Sequence, residues 1–226
     1  ALQLLKMKFK KILLYVGFFV VVTIVFLFLT FAGTDKWKTK LPVISTVQPF
    51  RFTTQDGKSF TQDDVRGKVY VVDYFFTTCH GICPSLTANM KKIYEQFKDE
   101  PDFLIVSHTC MPEVDSAPVL KHYADSLGVD TRKWVFVTGS KLDLYNAARN
   151  SYLLDDKKNA VGNIKDQFIH TQFFALVDKN GNVRGEIFDG LKNNELARLK
   201  KDIEVLLKEK QGTGSNFANN IFGNNM

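Results

Sequence analysis

The stretch from Lys68 to Phe76 (KVYVVDYFF) puts the tightest limit on what this chain can fold into. It is nearly continuous in apolar residues, broken by a single Asp, where a half-exposed strand would alternate. A strand of this kind is buried on both faces, so it belongs inside a sheet covered by helices on either side. The next segment is Thr77-Thr78-Cys79-His80-Gly81-Ile82-Cys83-Pro84. Pro84 opens a helical pattern, a position where its missing N–H costs nothing. Leu86, Met90, Ile93 and Phe97 then fall on one helical face. Two cysteines therefore sit at a strand-to-helix junction.

The rest of the pattern extends this unit. Phe50 to Thr54 and Lys58 to Phe60 flank Gln55-Asp56-Gly57, a hairpin signal. Phe103 to Val106 predicts a second buried strand, and Ala117 to Leu127 a helix closed by Gly128. Trp134 to Val137 predicts a third strand, and Ser140 caps a helix expected to run through Asn150. Tyr152 to Gln167 is polar and reads as a loop. Phe173 to Val177 and Val183 to Phe188 flank Asp178-Lys179-Asn180-Gly181 as a second hairpin, and a last helix starts at Asn194. Strand-helix-strand units need parallel neighbours joined by right-handed crossovers, and the closing hairpin makes the sheet mixed. The expected fold is α/β and thioredoxin-like: a mixed central sheet flanked by helices, with an N-terminal hairpin.

A separate feature precedes this domain. Ile12 to Ala32 carries no charge over 21 residues, and at about 1.5 Å per residue such a helix spans roughly 30 Å, the hydrocarbon thickness of a bilayer. A cleaved signal has a shorter apolar core and a small-x-small site, which Phe31-Ala32-Gly33 barely matches, so the expectation is a retained transmembrane anchor. The resulting division is a basic segment 1–11, a transmembrane helix 12–32, a linker 33–48, the main domain 49–210 and an Asn-rich tail 211–226 that reads as disordered. Lys6, Lys8, Lys10 and Lys11 before the span favour a cytoplasmic N-terminus, which would put the domain in the periplasm of a bacterial inner membrane. A mitochondrial inner membrane facing the intermembrane space is the alternative. The net charge of +6 owes much to these flanks. It reads as membrane-surface electrostatics, and no nucleic-acid motif is present.

The sequence has three cysteines, an odd number that does not suit a structural disulfide framework. Cys79 and Cys83 therefore read as reactive or ligating. Cys83 at a helix N-terminus is expected to favour thiolate, the species that binds soft metals and attacks disulfides. On the residues alone, a redox pair and a Cu(I), Cu(II) or Zn(II) site both stay open. Cys110, at the end of the second strand beside His108, reads first as a packing residue and second as a spare thiol. His80 reads as a solvent-facing neighbour of the pair.

Three segments together resemble the Sco/SenC proteins, membrane-anchored copper proteins of thioredoxin fold that help assemble the binuclear copper centre of cytochrome c oxidase. They are Cys79-x-x-x-Cys83-Pro84, His170-Thr171-Gln172-Phe173-Phe174-Ala175-Leu176-Val177-Asp178 ahead of Gly181, and Ser107-His108-Thr109 through Pro112-Glu113-Val114-Asp115-Ser116. The resemblance covers about residues 48–210 and the anchor. It implies that Cys79, Cys83 and His170 are the copper ligands. Two positions depart from the family pattern: Met111 stands where an Asp of Asp-Pro-Glu is usual, and Ile169 precedes His170 where an Asp is common. Both remove negative charge near the expected site, which bears on affinity, redox tuning and docking.

The function expected is that of a membrane-tethered copper metallochaperone delivering Cu(I) or Cu(II) to the oxidase subunit that carries the binuclear site. Two other readings are carried alongside it. One is a thiol-disulfide reductase acting on that subunit's cysteines, with Cys79 and Cys83 as the catalytic pair. The other is a resident accessory subunit of a respiratory complex.

Overall fold

The computed structural model describes residues 2–31, 41–169 and 171–212. The chain forms two units, 1–40 and 41–226. In the first, α1 (Leu2–Phe31) is a single helix, and its stretch Lys11–Leu29, 19 residues, is long and apolar enough to cross a membrane. Apolar side chains lie all round that stretch, the composition a helix in lipid would need.

The second unit is built on β4 (Val69–Phe75), the predicted run, buried at every position. It pairs in parallel with β5 (Phe103–Thr109), from Val69 opposite Phe103 to Phe75 opposite Thr109. On its other side it pairs antiparallel with β7 (Phe173–Val177). β6 (Trp134–Thr138) continues the parallel order beyond β5. Beyond β6 lies the N-terminal hairpin of β2 (Arg51–Thr54) and β3 (Ser59–Thr61). The helices α2 (Cys83–Phe97) and α3 (Ala117–Leu127) are the crossovers. Gly128 ends α3 in the left-handed region at φ 65°, as its position predicts.

Alternation along β4 divides two cores. Tyr70, Val72 and Tyr74 pack with Leu104, Val106, Val137, Tyr145 and Tyr152. Val69, Val71 and Phe75 pack on the other face with Met90, Ile93 and Phe97 of α2, Leu120, Trp134, and Leu199 and Ile203 of the last helix, Asn193–Lys208. The mixed sheet flanked by helices is thus the expected architecture.

Several boundaries differ from expectation. Val43–Thr46, inside the segment read as linker, is an edge strand β1 paired antiparallel with β8 (Asn182–Arg184). The expected strand Val183 to Phe188 is broken in two. Gly185 takes φ 78°, and β9 (Phe188–Asp189) turns back to pair with the start of β7. Arg184 explains the break. Its guanidinium donates to Asp178 Oδ2 at 2.6 Å, to Glu209 at 3.2 and 3.4 Å, and to the Leu41 carbonyl at 2.9 Å. Gly185 N donates to Pro42 O at 2.8 Å. The helix capped by Ser140 is α4 (Lys141–Asn146), and it relaxes into a π-helical turn over Ala147–Ser151. The predicted loop 152–167 is anchored by buried Tyr152 and Leu154 and contains two short 3₁₀ turns. Of the Asn-rich tail, residues 213–226 lie outside the described residues, as do 32–40.

The one Asp in β4 has a buried partner chain. Ser107 Oγ donates to Asp73 Oδ1 at 2.5 Å, and Trp134 Nε1 donates to Ser107 Oγ at 2.8 Å. Burial pushes the Asp73 pKa up to about 7 from 3.8, against the opposing effect of the Ser107 bond. The folded state therefore keeps a proton that the unfolded chain releases. Stability is unaffected below pH 3.8 and falls as pH rises toward 7. Asp73→Asn is expected to remove this loss. Denaturant titrations of wild type and variant at pH 4 and pH 8 should show the variant gaining on the order of 4 kcal/mol relative to wild type at the higher pH. An equal stability difference at both pH values would mean that Asp73 is ionised in the fold.

Candidate metal centre

β4 and β5 end together, and the chain leaving β4 forms the cysteine turn on that edge. Cys79 N donates to Phe76 O at 3.2 Å, closing the turn. Cys83 is the first residue of α2, with Pro84 next to it in the first helical turn. Both cysteines are free thiols, Cys79 half-buried and Cys83 buried.

The electrostatics reverse one sequence expectation. Burial works to raise the Cys79 pKa. A hydrogen bond from Cys83 and bonds from the backbone N–H groups of Cys83, Gly81 and Ile82 outweigh it, so Cys79 is held below the ordinary thiol value. Cys83 is pushed up to about 12, by burial first and then by its place beside Cys79. The helix N-terminus thus serves Cys79, with Cys83 as the proton-bearing donor to it. A thiolate with a thiol beside it is an arrangement for soft-metal capture or disulfide attack.

The other candidates separate clearly. Cys110 N donates to Phe75 O at 2.7 Å and its carbonyl accepts from Tyr145 Oη at 3.0 Å. Its thiol is buried, which together with the negative groups around it raises its pKa well above the ordinary value. It packs in the core opposite α2. His108 is wholly buried, stacked on Tyr74 at 4.9 Å with Phe52 edge-on at 5.2 Å. Burial pushes it down to about 3, which keeps it neutral. His80 is exposed, as expected.

His170 lies outside the described residues. Among the described residues no group of three or more His, Cys, Asp or Glu side chains converges as a metal site; Cys79 and Cys83 are a two-sulfur pair. The residues flanking position 170 are firmly held. Ile169 is buried and its N–H donates to Tyr145 Oη at 3.2 Å. Gln172 Nε2 donates to Asp189 Oδ2 at 2.8 Å, and Gln172 O accepts from Gly190 N at 2.8 Å. Asn89 of α2 donates to Gly190 O at 2.8 Å, which joins the cysteine helix to the strand after position 170.

Sequence reasoning passed over three supports of this edge. Arg149, in the π-helical turn, is buried; it donates to Asp155 at 2.7 Å and to Gln167 Oε1 at 2.8 Å, and lies over the Tyr145 ring at 5.5 Å. Asp115 is wholly buried and accepts from Thr77 and from Thr109 Oγ1, the latter at 2.5 Å. Gly190 has no room for a side chain. None of the three stands out in the sequence, because each acts through partners brought together by the fold.

Known proteins match this arrangement along most of its length. A "SCO1 protein homolog" of Bacillus subtilis is 32% identical over 183 residues, covering 80% of this chain and 92% of the relative. The structure of BsSco, a member of the Sco family of cytochrome c oxidase assembly proteins in which a disulfide switch was identified, is 30% identical. It covers 76% of this chain and 100% of its own, with a TM-score of 0.63. Bradyrhizobium japonicum ScoI with copper bound shares the fold at 22% identity and a TM-score of 0.56, over 72% of this chain and 99% of its own. A model of the SCO1/SenC family matches residues 39–206, well over half the chain, and on that match the chain belongs to the SCO1/SenC family.

Proposed function

We propose that this chain is a membrane-tethered copper carrier that takes copper as cargo on Cys79, Cys83 and His170 and passes it to the copper-bearing subunit of cytochrome c oxidase. The observation that carries this reading is the paired sulfur site, with Cys79 favoured as thiolate and Cys83 hydrogen-bonded to it at the start of α2. Thiolate sulfur suits Cu(I), and an added imidazole lets such a site accept Cu(II). Membership in a family with oxidase-assembly relatives, and a relative of the same fold known with copper bound, support the cargo and the recipient. The apolar stretch Lys11–Leu29 supports a single-pass anchor. The lysines before it favour a cytoplasmic N-terminus, which in a bacterial inner membrane puts the domain in the periplasm. Copper would leave by ligand exchange, one thiolate replacing another, so that the ion is never free.

Copper stoichiometry and the visible spectrum of the reduced chain test this. Wild type is expected to bind one copper with a thiolate-to-Cu(II) charge-transfer band. Cys79→Ala and Cys83→Ala should each lose copper by at least about a hundredfold in affinity, and His170→Ala should weaken the band. Wild-type chain that takes up no copper would end the reading.

The asymmetry of the two thiols also suits a second function, a thiol-disulfide reductase for the oxidase cysteines. Cys79 thiolate would attack a disulfide sulfur and displace one thiolate. Cys83, losing its proton, would then attack Cys79 and release the second, passing two electrons and leaving a Cys79–Cys83 disulfide. That activity needs both cysteines but not His170. Full oxidase maturation by His170→Ala, with loss in either cysteine variant, selects it over copper carriage.

A further inference from the structure

Asp115 is a carboxylate buried beside the cysteine turn with no accessible surface. Among the described residues its hydrogen-bond partners are neutral. Thr77 N donates to its two oxygens at 3.4 and 3.3 Å, Thr77 Oγ1 donates to Oδ1, and Thr109 Oγ1 donates to Oδ2 at 2.5 Å. A buried charge is costly unless donors converge on it, and bonds to a charged acceptor are about twice as strong as neutral ones. The donors here belong to two different elements. Thr77 stands two residues before Cys79, and Thr109 is the last residue of β5. Asp115 itself directly precedes Ser116, the N-cap of α3. Thr109 Oγ1 also accepts from Met111 N at 2.9 Å, which fixes the hydroxyl's direction.

We propose that Asp115 is a positioning residue for Cys79: by fastening Thr77 to the end of β5 and the start of α3, it holds the turn that presents the Cys79 sulfur to the amides opening α2. The proposal rests on Cys79 and Cys83 being the reacting pair. Phe76 and Ile82 pack against the cores at the two ends of the turn, but between them Thr78 and Gly81 are exposed and Cys79 N makes one turn bond, so the tie at Thr77 holds the middle of the turn. With the carboxylate gone, the turn loses its tie to the sheet and the reduced pair loses its preorganised form. Asn at this position would present an amide N–H₂ to a donor and break at least one bond, whereas Val at position 77 would remove the hydroxyl alone. Both changes act through Cys79 without touching it.

The test is the equilibrium of the full-length chain, in detergent, with glutathione disulfide. Two protein thiols give two electrons and two protons to one glutathione disulfide, forming the Cys79–Cys83 bond and two molecules of glutathione. Acid quenching, alkylation and peptide mass spectrometry read that pair separately from Cys110. Asp115→Asn and Thr77→Val should each shift the equilibrium toward the disulfide by about five- to tenfold, the size of roughly one net hydrogen bond. The double variant should shift it no further than either single one, as members of one network do. Thr77→Ser should stay within about twofold of wild type, since it keeps the hydroxyl. An equilibrium unchanged in Thr77→Val and Asp115→Asn, even with lowered melting temperatures, or a shift toward the dithiol, overturns the proposal and leaves Asp115 a brace for the fold. If Asp115→Asn does not fold, Thr77→Val against Thr77→Ser decides alone. No copper enters this assay, so a wild-type chain that binds none would sink the copper reading without deciding this one.

Discussion

Gly190→Ala is expected to destabilise the domain by about 3 kcal/mol or more, the upper end for overpacking a filled core. A Cβ at this position would lie 2.6 Å from Phe174 Cζ, 2.8 Å from Leu86 Cδ2 and 2.9 Å from the Gln172 carbonyl oxygen. None of the three can give way cheaply. Phe174 and Leu86 of α2 are both buried in the same core, and the third neighbour is backbone. The methyl group also presses on the two bonds, to Gln172 O and from Asn89, that tie α2 to the start of β7. Thermal unfolding should therefore shift down by roughly 6–12 °C for a domain of this size. A melting temperature within about 2 °C of wild type would show that Phe174 swings aside at little cost.

Arg149→Met should be comparably damaging for a different reason. The side chain of Arg149 is 5% exposed and that of its partner Asp155 is 10% exposed. Removing the cation leaves a buried carboxylate unpaired, which costs about 3–5 kcal/mol. Gln167 loses its donor as well, and with it a tie on the segment that ends at Ile169. Two measurements separate the effects. Denaturant titration gives the stability loss, and limited proteolysis reads the release of residues 152–169. The double variant Arg149→Met/Asp155→Leu, which buries no charge, should recover most of the stability while leaving the segment as sensitive to protease as in the single variant. A double variant no more stable than the single one would place the loss in the guanidinium's contacts with Tyr145 and Gln167.

Much of the sheet was readable because one strong rule governs it. β4, α2, β5, α3 and β6 each carry a periodic or continuous apolar pattern, and each was located within a few residues. The failures share a cause: long-range polar contacts override local pattern. Val183 to Phe188 alternates like one strand, yet Arg184 reaches back to Asp178, Leu41 and Glu209 and the chain turns at Gly185. Val43–Thr46 has no pattern of its own and becomes a strand only because β8 offers an edge. At the site, the cysteine pair and its place at a helix start were legible from spacing. Which cysteine is the thiolate was not, because that depends on burial and on which sulfur the free amides reach. The supports from Asp115, Arg149 and Gly190 were equally hidden, since each joins residues that are distant in sequence.

The contacts of Arg184 also bear on what happens when the chain is pulled. Tension arriving at Leu41 meets the Val43–Arg184 pair first, the point from which β1 would unzip from β8. Arg184 grips the Leu41 carbonyl at that point while its other nitrogens hold Asp178 and Glu209, so the first step of peeling must break an ion-pair cluster as well as a strand pair. The strain ends at the outer strands β1 and β8, with β7 standing between them and β4. A pull applied at Leu41 is therefore resisted at β1 and β8, the nearer of which is two strands away from β4 and the sulfurs that follow it.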